Sequence, residues 1–214
     1  NEILLDEEVL VERILALKER RKAIILAHNY QRPEVQDIGD FVGDSLGLAR
    51  KAAETDAEVI VFCGVHFMAE TASILCPDRV VLLPDLNAGC PMADMAAARE
   101  VKRFREEHPE VTVVSYVNTT AAVKAVSDYC CTSSNAVEVV RRVEGDEIVF
   151  LPDRNLAAFV ADRVPEKRII PWNGYCHVHQ GIRAGDVLRA KGEHPRAKVI
   201  AHPECTREVL ELAD

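Results

Sequence analysis

The chain lacks any long apolar run. None of its hydrophobic stretches approaches the ~18 consecutive apolar residues that a membrane-spanning helix requires. The first residues are acidic and amphipathic, so they also lack the apolar core of a secretory signal peptide. These absences argue against a membrane partner and against secretion. We therefore expect a soluble, cytoplasmic protein.

Positive charge is outnumbered by negative charge: 26 Lys and Arg residues stand against 35 Asp and Glu residues, so the net charge is −9 at pH 7. The densest basic run, residues 18–22, is typical of the last turn of a helix, where cations are favoured. No basic stripe marks a nucleic-acid surface, so we expect no nucleic-acid partner. Gly39, Gly43 and Gly47 do not form the dinucleotide fingerprint, and no Walker lysine pattern occurs. We accordingly expect no nucleotide cofactor.

Cysteine is plentiful, and its number is informative. Seven cysteines form an odd set in a chain with no secretory signal, which makes a disulfide framework improbable. Metal ligands, reduced thiols and buried apolar side chains remain as explanations. Position in the fold decides between them.

Short apolar segments alternate with amphipathic ones along the chain. Asp6 is expected to cap a first helix with an apolar stripe at Leu10, Ile14 and Leu17. Strands that alternate with helices predict an α/β fold with parallel sheets. The predicted strands are 23–27, 58–62, 80–83, 112–116, 147–151, 168–170 and 198–201, and two predicted helices are 92–107 and 135–143.

The sequence also repeats itself with a shift of about 88 residues. Residues 25–30 align with 113–118, residues 40–45 with 128–133, and residues 58–62 with 146–150. After a small slip, Cys90 falls on Cys176. One cysteine thus occupies the same place in each copy.

A third copy begins near the end of the sequence, where residues 199–204 match the opening strand and turn. The period places a third equivalent cysteine at about position 262, which lies outside this sequence. We therefore predict a pseudo-threefold repeat of three-layer αβα domains with small parallel sheets, the third repeat being truncated. The expected domains are residues 1–110, 111–196 and 197–214.

The repeated cysteines suggest a metal centre. Corresponding loops of parallel α/β units gather on one side of their sheets, so three such thiolates would face one another. Thiolates are soft ligands for zinc, copper or iron-sulfur clusters, and three of them on a 4Fe-4S cluster would leave one iron open. Only two of the three, Cys90 and Cys176, are present in this sequence. Without the repeat that relates them, buried structural thiols would be the commoner explanation.

Polar side chains recur after the first strand of each copy. Two residues apart in an extended segment, such side chains lie on one face and could line a pocket. The three pairs are His28 with Tyr30, Tyr116 with Asn118, and His202 with Glu204. Ser45 and Ser133 occupy equivalent predicted helix starts, where they could hold carboxylate or phosphate oxygens or serve as helix caps.

A rival zinc site is suggested by two Cys-x-x-His pairs, Cys63 with His66 and Cys176 with His179. Their positions in the repeat are not equivalent, so the pairs need not meet. We expect His179 to support Cys176 or to form a pocket wall. The remaining cysteines are expected to be buried or incidental thiols: Cys76, Cys130, Cys131 and Cys205.

Several long motifs, in order, closely resemble the quinolinate synthase family along essentially the whole chain. They are Ala27-His28-Asn29-Tyr30-Gln31, Gly43-Asp44-Ser45, Met68-Ala69-Glu70-Thr71-Ala72, Asn87-Ala88-Gly89-Cys90-Pro91-Met92-Ala93, Tyr116-Val117-Asn118, Thr132-Ser133-Ser134-Asn135-Ala136, Cys176-His177-Val178-His179 and Ala201-His202-Pro203-Glu204-Cys205.

The resemblance implies a transferase that condenses iminoaspartate with dihydroxyacetone phosphate to form quinolinate, in NAD biosynthesis. An L-aspartate oxidase or dehydrogenase would supply the iminoaspartate. The family's fold implies three αβα domains around a 4Fe-4S cluster held by one cysteine from each. Cys90 and Cys176 would be two of the ligands, and this chain lacks the third.

The resemblance also implies roles for the polar residues. Tyr30, His202 and Glu204 match the family's acid-base groups. The positions that match substrate or product contacts are His28, Ser45, Tyr116, Asn118 and Ser133. Two other functions remain open: a zinc or mononuclear-iron lyase, and an iron-sulfur sensor.

Overall fold

The structure is a computed structural model that describes residues 6–214. The chain divides into two compact units, the first ending at Gly89 and the second running from Cys90 to Asp214. Each unit contains one four-stranded, fully parallel sheet. The predicted α/β class is confirmed, and the two small sheets are consistent with repeated three-layer units.

The first unit opens with helix α1 (Glu7–Arg20), which Asp6 caps as predicted. Of the predicted apolar stripe, Ile14 packs against the sheet, whereas Leu10 and Leu17 are exposed. The elements that follow are β1 (Ala23–His28), α2 (Pro33–Asp37), β2 (Phe41–Gly43), α3 (Ser45–Glu54), β3 (Val59–Cys63), α4 (His66–Leu75) and β4 (Val80–Leu82).

The second unit continues the alternation of helices and strands. Its elements are α5 (Pro91–Asp94), α6 (Ala98–Glu107), β5 (Thr112–Tyr116), α7 (Ala121–Lys124), β6 (Tyr129–Cys131), α8 (Ala136–Arg142), β7 (Glu147–Leu151), α9 (Arg154–Ala161), β8 (Arg168–Pro171), α10 (His177–Gly181), α11 (Ala184–Glu193) and α12 (Arg207–Leu210).

The single helix predicted over residues 92–107 is wrong, since the chain forms α5 and α6 with a break at residues 95–97. The break has a tertiary cause. The backbone carbonyl of Met95 accepts a hydrogen bond from the indole N–H of Trp172 (2.9 Å). The side-chain sulfur of Met95 accepts a second one from the backbone N–H of Tyr175 (3.4 Å). A straight helix would carry Met95 away from these partners.

Both sheets have the same topology and register. The strand orders are β2-β1-β3-β4 and β6-β5-β7-β8. The cross-strand pairs that the two sheets share lie 88 residues apart, as Val114 paired with Tyr129 follows Leu26 paired with Phe41. The structure thus supports the repeat seen in the sequence, and it adds β2 and β6, which the sequence pattern missed.

One aspartate anchors the first strand of each copy. The backbone N–H of Ile25 donates to Asp40 (2.8 Å), and that of Val113 donates to Asp128 (2.8 Å). Lys18 and Arg105 pair with these carboxylates. The same arrangement occurs at the predicted third copy, where the backbone N–H of Val199 donates to Asp214 (2.9 Å).

The strand predicted at residues 198–201 is nevertheless wrong, because this segment has no regular secondary structure. Among the described residues no strand pairs with it, and an unpaired strand has no ladder hydrogen bonds to define it.

The core of the second unit supports the loops at the carboxyl ends of its strands. Val114 and Phe150 lie at the centre of a buried apolar cluster, and Leu156 of α9 packs into the same cluster. Cys90 and Cys176 are half-buried against its edge. Within residues 6–214, no helix is both long and apolar enough to cross a bilayer.

Candidate metal and acid-base site

In the first unit, the candidate residues lie at the carboxyl end of the sheet. His28 ends β1 and is buried, and its Nδ1 accepts a hydrogen bond from the backbone N–H of Tyr30 (3.2 Å). Tyr30 itself is 80% exposed, so its side chain lies in solvent and not in the core. Burial lowers the pKa of His28, although the negative charge of Asp44 opposes this shift.

Ser45 begins helix α3, as predicted, but it is not the cap. The carboxylate of Asp44 caps this helix by accepting a hydrogen bond from the backbone N–H of Gly47 (2.7 Å). Ser133 is likewise no cap, since α8 begins at Ala136 with Asn135 as its N-terminal cap position. The Ser133 hydroxyl instead lies 3.1 Å from Nε2 of His202.

Glu204 is the centre of the site in the second unit. Its side chain is only 3% exposed, and Tyr116, His179 and His202 lie near its carboxylate. Burial acts to raise the pKa of Glu204, but contacts from His179, Tyr116 and His202 outweigh burial and lower it. The carboxylate is therefore held as a buried anion.

Tyr116 ends strand β5 and is also buried. Burial, with the charge of Glu204 and the hydrogen bond to it, raises the pKa of Tyr116 well above its usual value. The phenol consequently stays protonated beside Glu204. Ser133 acts in the opposite direction and lowers the pKa of Tyr116, so Tyr116 lies near both Ser133 and Glu204.

His179 lies on the other side of Glu204. Its Nδ1 is 2.9 Å from a carboxylate oxygen of Glu204, but the ring N–H does not point at that oxygen. Within the described part of the chain, this buried nitrogen therefore has no well-directed hydrogen-bond partner. The Cys176 sulfur and the Glu204 carboxylate both favour the imidazolium and raise the pKa of His179.

His202 completes the acid-base group. Its ring stacks on the ring of His179, with centroids 4.8 Å apart and planes inclined by 24°. Its Nδ1 accepts a hydrogen bond from the backbone N–H of Glu204 (3.2 Å), as His28 accepts one from Tyr30 in the first unit. Burial, assisted by the charge of His179, lowers the pKa of His202 against the opposing charge of Glu204.

The two repeated cysteines lie at the starts of short helices, Cys90 before α5 and Cys176 before α10. Burial raises the pKa of Cys90 and the charge of Cys176 adds to this shift, whereas the backbone N–H groups of Ala93 and Met92 act to lower it. Both cysteines pack against the same buried apolar cluster.

The donor atoms fit a metal centre. One donor atom from each of Cys176, His179 and Glu204 lies within 4.8 Å of the others. A soft sulfur, an imidazole and a carboxylate are ligands for zinc and iron. The backbone N–H groups of Met92 and Ala93 favour the Cys90 thiolate, which is the form that ligates a metal or cluster. The chain therefore offers a possible metal-binding group here.

The structure brings together five of the predicted residues in the second unit: Tyr116, Ser133, Cys176, His202 and Glu204. Asn118 is half-buried in the loop between β5 and α7. His179, which the sequence suggested as a residue supporting Cys176 or a pocket wall, lies near both Cys176 and Glu204. The rival zinc pairs are divided between the units, since Cys63 and His66 belong to the first.

Sequence reasoning missed two residues, Asp153 and Asn155. Asp153 is fully buried and accepts hydrogen bonds from the backbone N–H groups of Leu156 (2.6 Å) and Cys176 (3.0 Å). The Asn155 amide donates to the backbone carbonyl of Glu204 (2.9 Å). The signal in the sequence is that Asp153 stands two residues after a predicted strand, where a helix cap is expected.

Fold and site together define an α/β enzyme of repeated units whose centre combines thiols, imidazoles and a buried carboxylate. A comparison with protein families names it more closely. The chain belongs to the family described as quinolinate synthetase A protein, whose model matches residues 12–214. The resemblance seen in the sequence motifs is thereby confirmed.

Curated relatives agree. A quinolinate synthase from Thermodesulfovibrio yellowstonii is 61% identical over 204 residues, covering 95% of this chain and 67% of the relative. The quinolinate synthase of Methanosarcina barkeri is 60% identical, and the match covers 96% of this chain and 67% of the relative. The quinolinate synthase of Dehalococcoides mccartyi strain CBDB1 is 58% identical, and the match covers 97% of this chain and 68% of the relative. The chain thus spans about two thirds of these relatives' length.

Proposed function

We propose that the chain acts as a quinolinate synthase in NAD biosynthesis, condensing iminoaspartate with dihydroxyacetone phosphate. The observation that carries this proposal is the group of Tyr116, His202 and Glu204 beside Cys176, with Tyr116 and Glu204 buried, in a member of this family. An L-aspartate oxidase or dehydrogenase is the proposed source of iminoaspartate. We place the reaction in the cytoplasm.

Cys90 and Cys176 are the proposed ligands of a 4Fe-4S cluster. Their half-buried sulfurs and the backbone N–H groups at Cys90 support this assignment. The third ligand is the cysteine that the repeat places at about position 262. When bound, the cluster would supply an open iron that acts as a Lewis acid on substrate oxygen or nitrogen.

Glu204 is the proposed general base of the second unit, with His202 beside it. Ring formation with loss of phosphate and water moves several protons, so positioned donors and acceptors are required. Hydrogen bonding keeps Glu204 ionised, and Tyr116 keeps its proton. One group can therefore accept a proton while its neighbour donates one. Tyr30 is a further proposed acid-base residue, and its high exposure leaves its hydroxyl accessible.

The remaining candidates are proposed to bind the anionic substrates. Ser133 and Tyr116 lie beside His202 and Glu204 in the second unit, and Asn118 lies two residues after Tyr116, the last residue of β5. His28 and Ser45 occupy the corresponding places in the first unit, 88 residues earlier than Tyr116 and Ser133 in the shared register. Support for these two residues is their repeat position and the family resemblance.

A second candidate function is a zinc or mononuclear-iron lyase. The observation that favours it is the set of Cys176, His179 and Glu204, which offers three ligands without Cys90. Iron, zinc and acid-labile sulfide analysis separates the two functions, because only a cluster contains inorganic sulfide. One metal ion per chain with no sulfide would favour the lyase.

Turnover by a Glu204→Gln variant tests the proposed function. We define the extended chain as residues 1–214 joined to the C-terminal third of the Thermodesulfovibrio yellowstonii relative, reconstituted anaerobically with iron and sulfide. It is expected to form quinolinate from iminoaspartate and dihydroxyacetone phosphate. Glu204→Gln should lower kcat by about 10²-fold or more, because glutamine cannot accept the proton.

The matched control is Glu208→Gln, which changes an exposed carboxylate four residues away on α12. It should leave turnover near that of the unsubstituted extended chain. Equal activity in the Glu204 and Glu208 variants would contradict the role of Glu204, and a folded extended chain that binds a cluster but makes no quinolinate would contradict the proposed function.

A further inference from the structure

The carboxylate of Asp153 joins two structural elements. Its Oδ1 accepts a hydrogen bond from the backbone N–H of Leu156 (2.6 Å), which caps helix α9. Its Oδ2 accepts one from the backbone N–H of Cys176 (3.0 Å), 23 residues further along the chain. The side chain is 0% exposed, so water does not compete for either oxygen. One buried residue thus ties the start of α9 to the backbone of a candidate metal ligand.

Asn155, two residues later, ties the same helix start to the acid-base group. Its side-chain amide donates to the backbone carbonyl of Glu204 (2.9 Å) and to the side-chain carbonyl of Gln180 (3.1 Å). Gln180 lies on α10, the short helix that begins directly after Cys176. Asp153 and Asn155 therefore contact the loops that carry Cys176 and Glu204.

Backbone contacts hold these loops close together. Asp153 and Gly174 form an isolated parallel bridge, and the backbone N–H of Arg154 donates to the carbonyl of Gly174 (2.9 Å). A Cβ at Gly174 would stand 2.4 Å from the carbonyl oxygen of Pro152, so a side chain does not fit there. Glycine permits the approach that brings the Cys176 amide within reach of Asp153.

The first repeat shows that this bridge does not need the carboxylate. Its equivalent bond joins the backbone N–H of His66 to the carbonyl of Ala88 (2.7 Å). The position that corresponds to Asp153 is Val65, and helix α4 begins there with no side-chain cap. Valine has no hydrogen-bond acceptor in its side chain. The repeat fold thus closes the same backbone contact without an aspartate, and the carboxylate is an addition specific to the Cys176 loop.

We propose that Asp153 and Asn155 are positioning residues for the reaction, Asp153 fixing the loop that presents the Cys176 sulfur and Asn155 fixing the backbone of Glu204. This inference rests on the proposed function for its purpose, but the positioning itself concerns contacts within the second unit. Neither residue needs to touch substrate. Residues that orient metal ligands and catalytic groups in this way commonly affect metal binding and activity when they are changed.

The first test measures amide hydrogen exchange in the whole 214-residue chain. Asp153→Asn keeps an oxygen that can cap α9, but its NH₂ group cannot accept the Cys176 N–H. Exchange at the Cys176 amide should accelerate about tenfold, while the amides of α9 stay protected. The matched control is Asp128→Asn, which removes another carboxylate that accepts a backbone N–H, that of Val113. It should not change exchange at Cys176.

The second test measures iron content and steady-state kinetics in the reconstituted extended chain. Asp153→Asn should lower cluster iron or kcat about 10- to 100-fold. Asn155→Leu, which removes the donor at similar volume, should lower kcat about tenfold with little change in KM, because the substrate contacts remain. Asp128→Asn should retain both iron and kcat.

The outcomes are distinguishable. Unchanged Cys176 exchange in Asp153→Asn would overturn the positioning role. Faster exchange with full iron content and kcat would also overturn it, because the anchor would then be structural only. If the unsubstituted extended chain makes no quinolinate, the proposed function fails, while the exchange result still decides whether Asp153 holds the Cys176 loop.

Discussion

His28 is a buried imidazole at the end of strand β1, where the sequence predicted it. Because burial lowers its pKa, the folded chain takes up a proton at this residue only at lower pH than the unfolded chain. Its contribution to stability is therefore fully present above about pH 6.5 and is lost as the pH falls below that value.

The first prediction follows from this sign. Between about pH 7 and pH 5, the free energy of unfolding of the unsubstituted chain should fall more steeply than that of a His28→Gln variant. Urea unfolding at a series of pH values measures the difference. His194→Gln, at an exposed histidine, should follow the unsubstituted chain. Parallel curves for His28→Gln and the unsubstituted chain would contradict the proposed cost of protonating His28.

At the residue scale, the sequence predicted which residues are site candidates better than it predicted which side chains contact one another. Tyr116, His202, Glu204 and Cys176 were all singled out by the repeat, because a repeated position after a strand is visible in one dimension. The stacking of His179 on His202 was not visible, since it depends on how α10 packs near residues 202–204. The roles assigned to these residues stay predictions.

At the scale of elements, a close backbone contact joins Asp153, the residue that caps α9, to Gly174, which follows β8. Gly174 leaves no room for a side chain, because its Cβ would meet the carbonyl oxygen of Pro152 at 2.4 Å. The bridge also brings the backbone of Asp153 beside Gly174. A change here should therefore affect both the stability of the second unit and the position of the Cys176 loop.

Gly174→Ala is expected to lower the free energy of unfolding by about 1–3 kcal/mol, since backbone must move to admit the methyl group. Gly185→Ala is the matched control, because nothing lies within 4 Å of its Cβ position in α11. That change should be neutral or raise stability by up to about 1 kcal/mol. Thermal unfolding of the two variants measures both effects, and equal melting temperatures would contradict the close approach at Gly174.

The elements found from the sequence were those with a strong local pattern. Six of the seven predicted strands are present, because each is an apolar run flanked by polar or turn residues. The three-residue strands β2 and β6 are too short for such a pattern, and only their pairing with β1 and β5 defines them. Residues 198–201 have the pattern but no paired strand, so the pattern alone did not suffice.

For the whole molecule, the repeat is the organising feature. The aspartate anchors at Asp40 and Asp128 bind the first strand of each sheet, and Asp214 binds the irregular segment that aligns with those strands. Their recurrence supports the proposed start of a third copy, and the domain limits of residues 1–110, 111–196 and 197–214 stay predictions. A third repeated cysteine is what a cluster with three protein ligands requires.

The measurement that tests the account most directly is the iron and acid-labile sulfide content of the reconstituted extended chain, compared with Cys90→Ser, Cys176→Ser and Cys130→Ser variants. We expect about four iron and four sulfide per chain, together with quinolinate formation, in the unsubstituted protein and in Cys130→Ser, whose cysteine is exposed. Both should be lost in Cys90→Ser and Cys176→Ser. A sulfide-bearing cluster retained by either variant, or metal bound without sulfide, would contradict the assignment of Cys90 and Cys176 as cluster ligands.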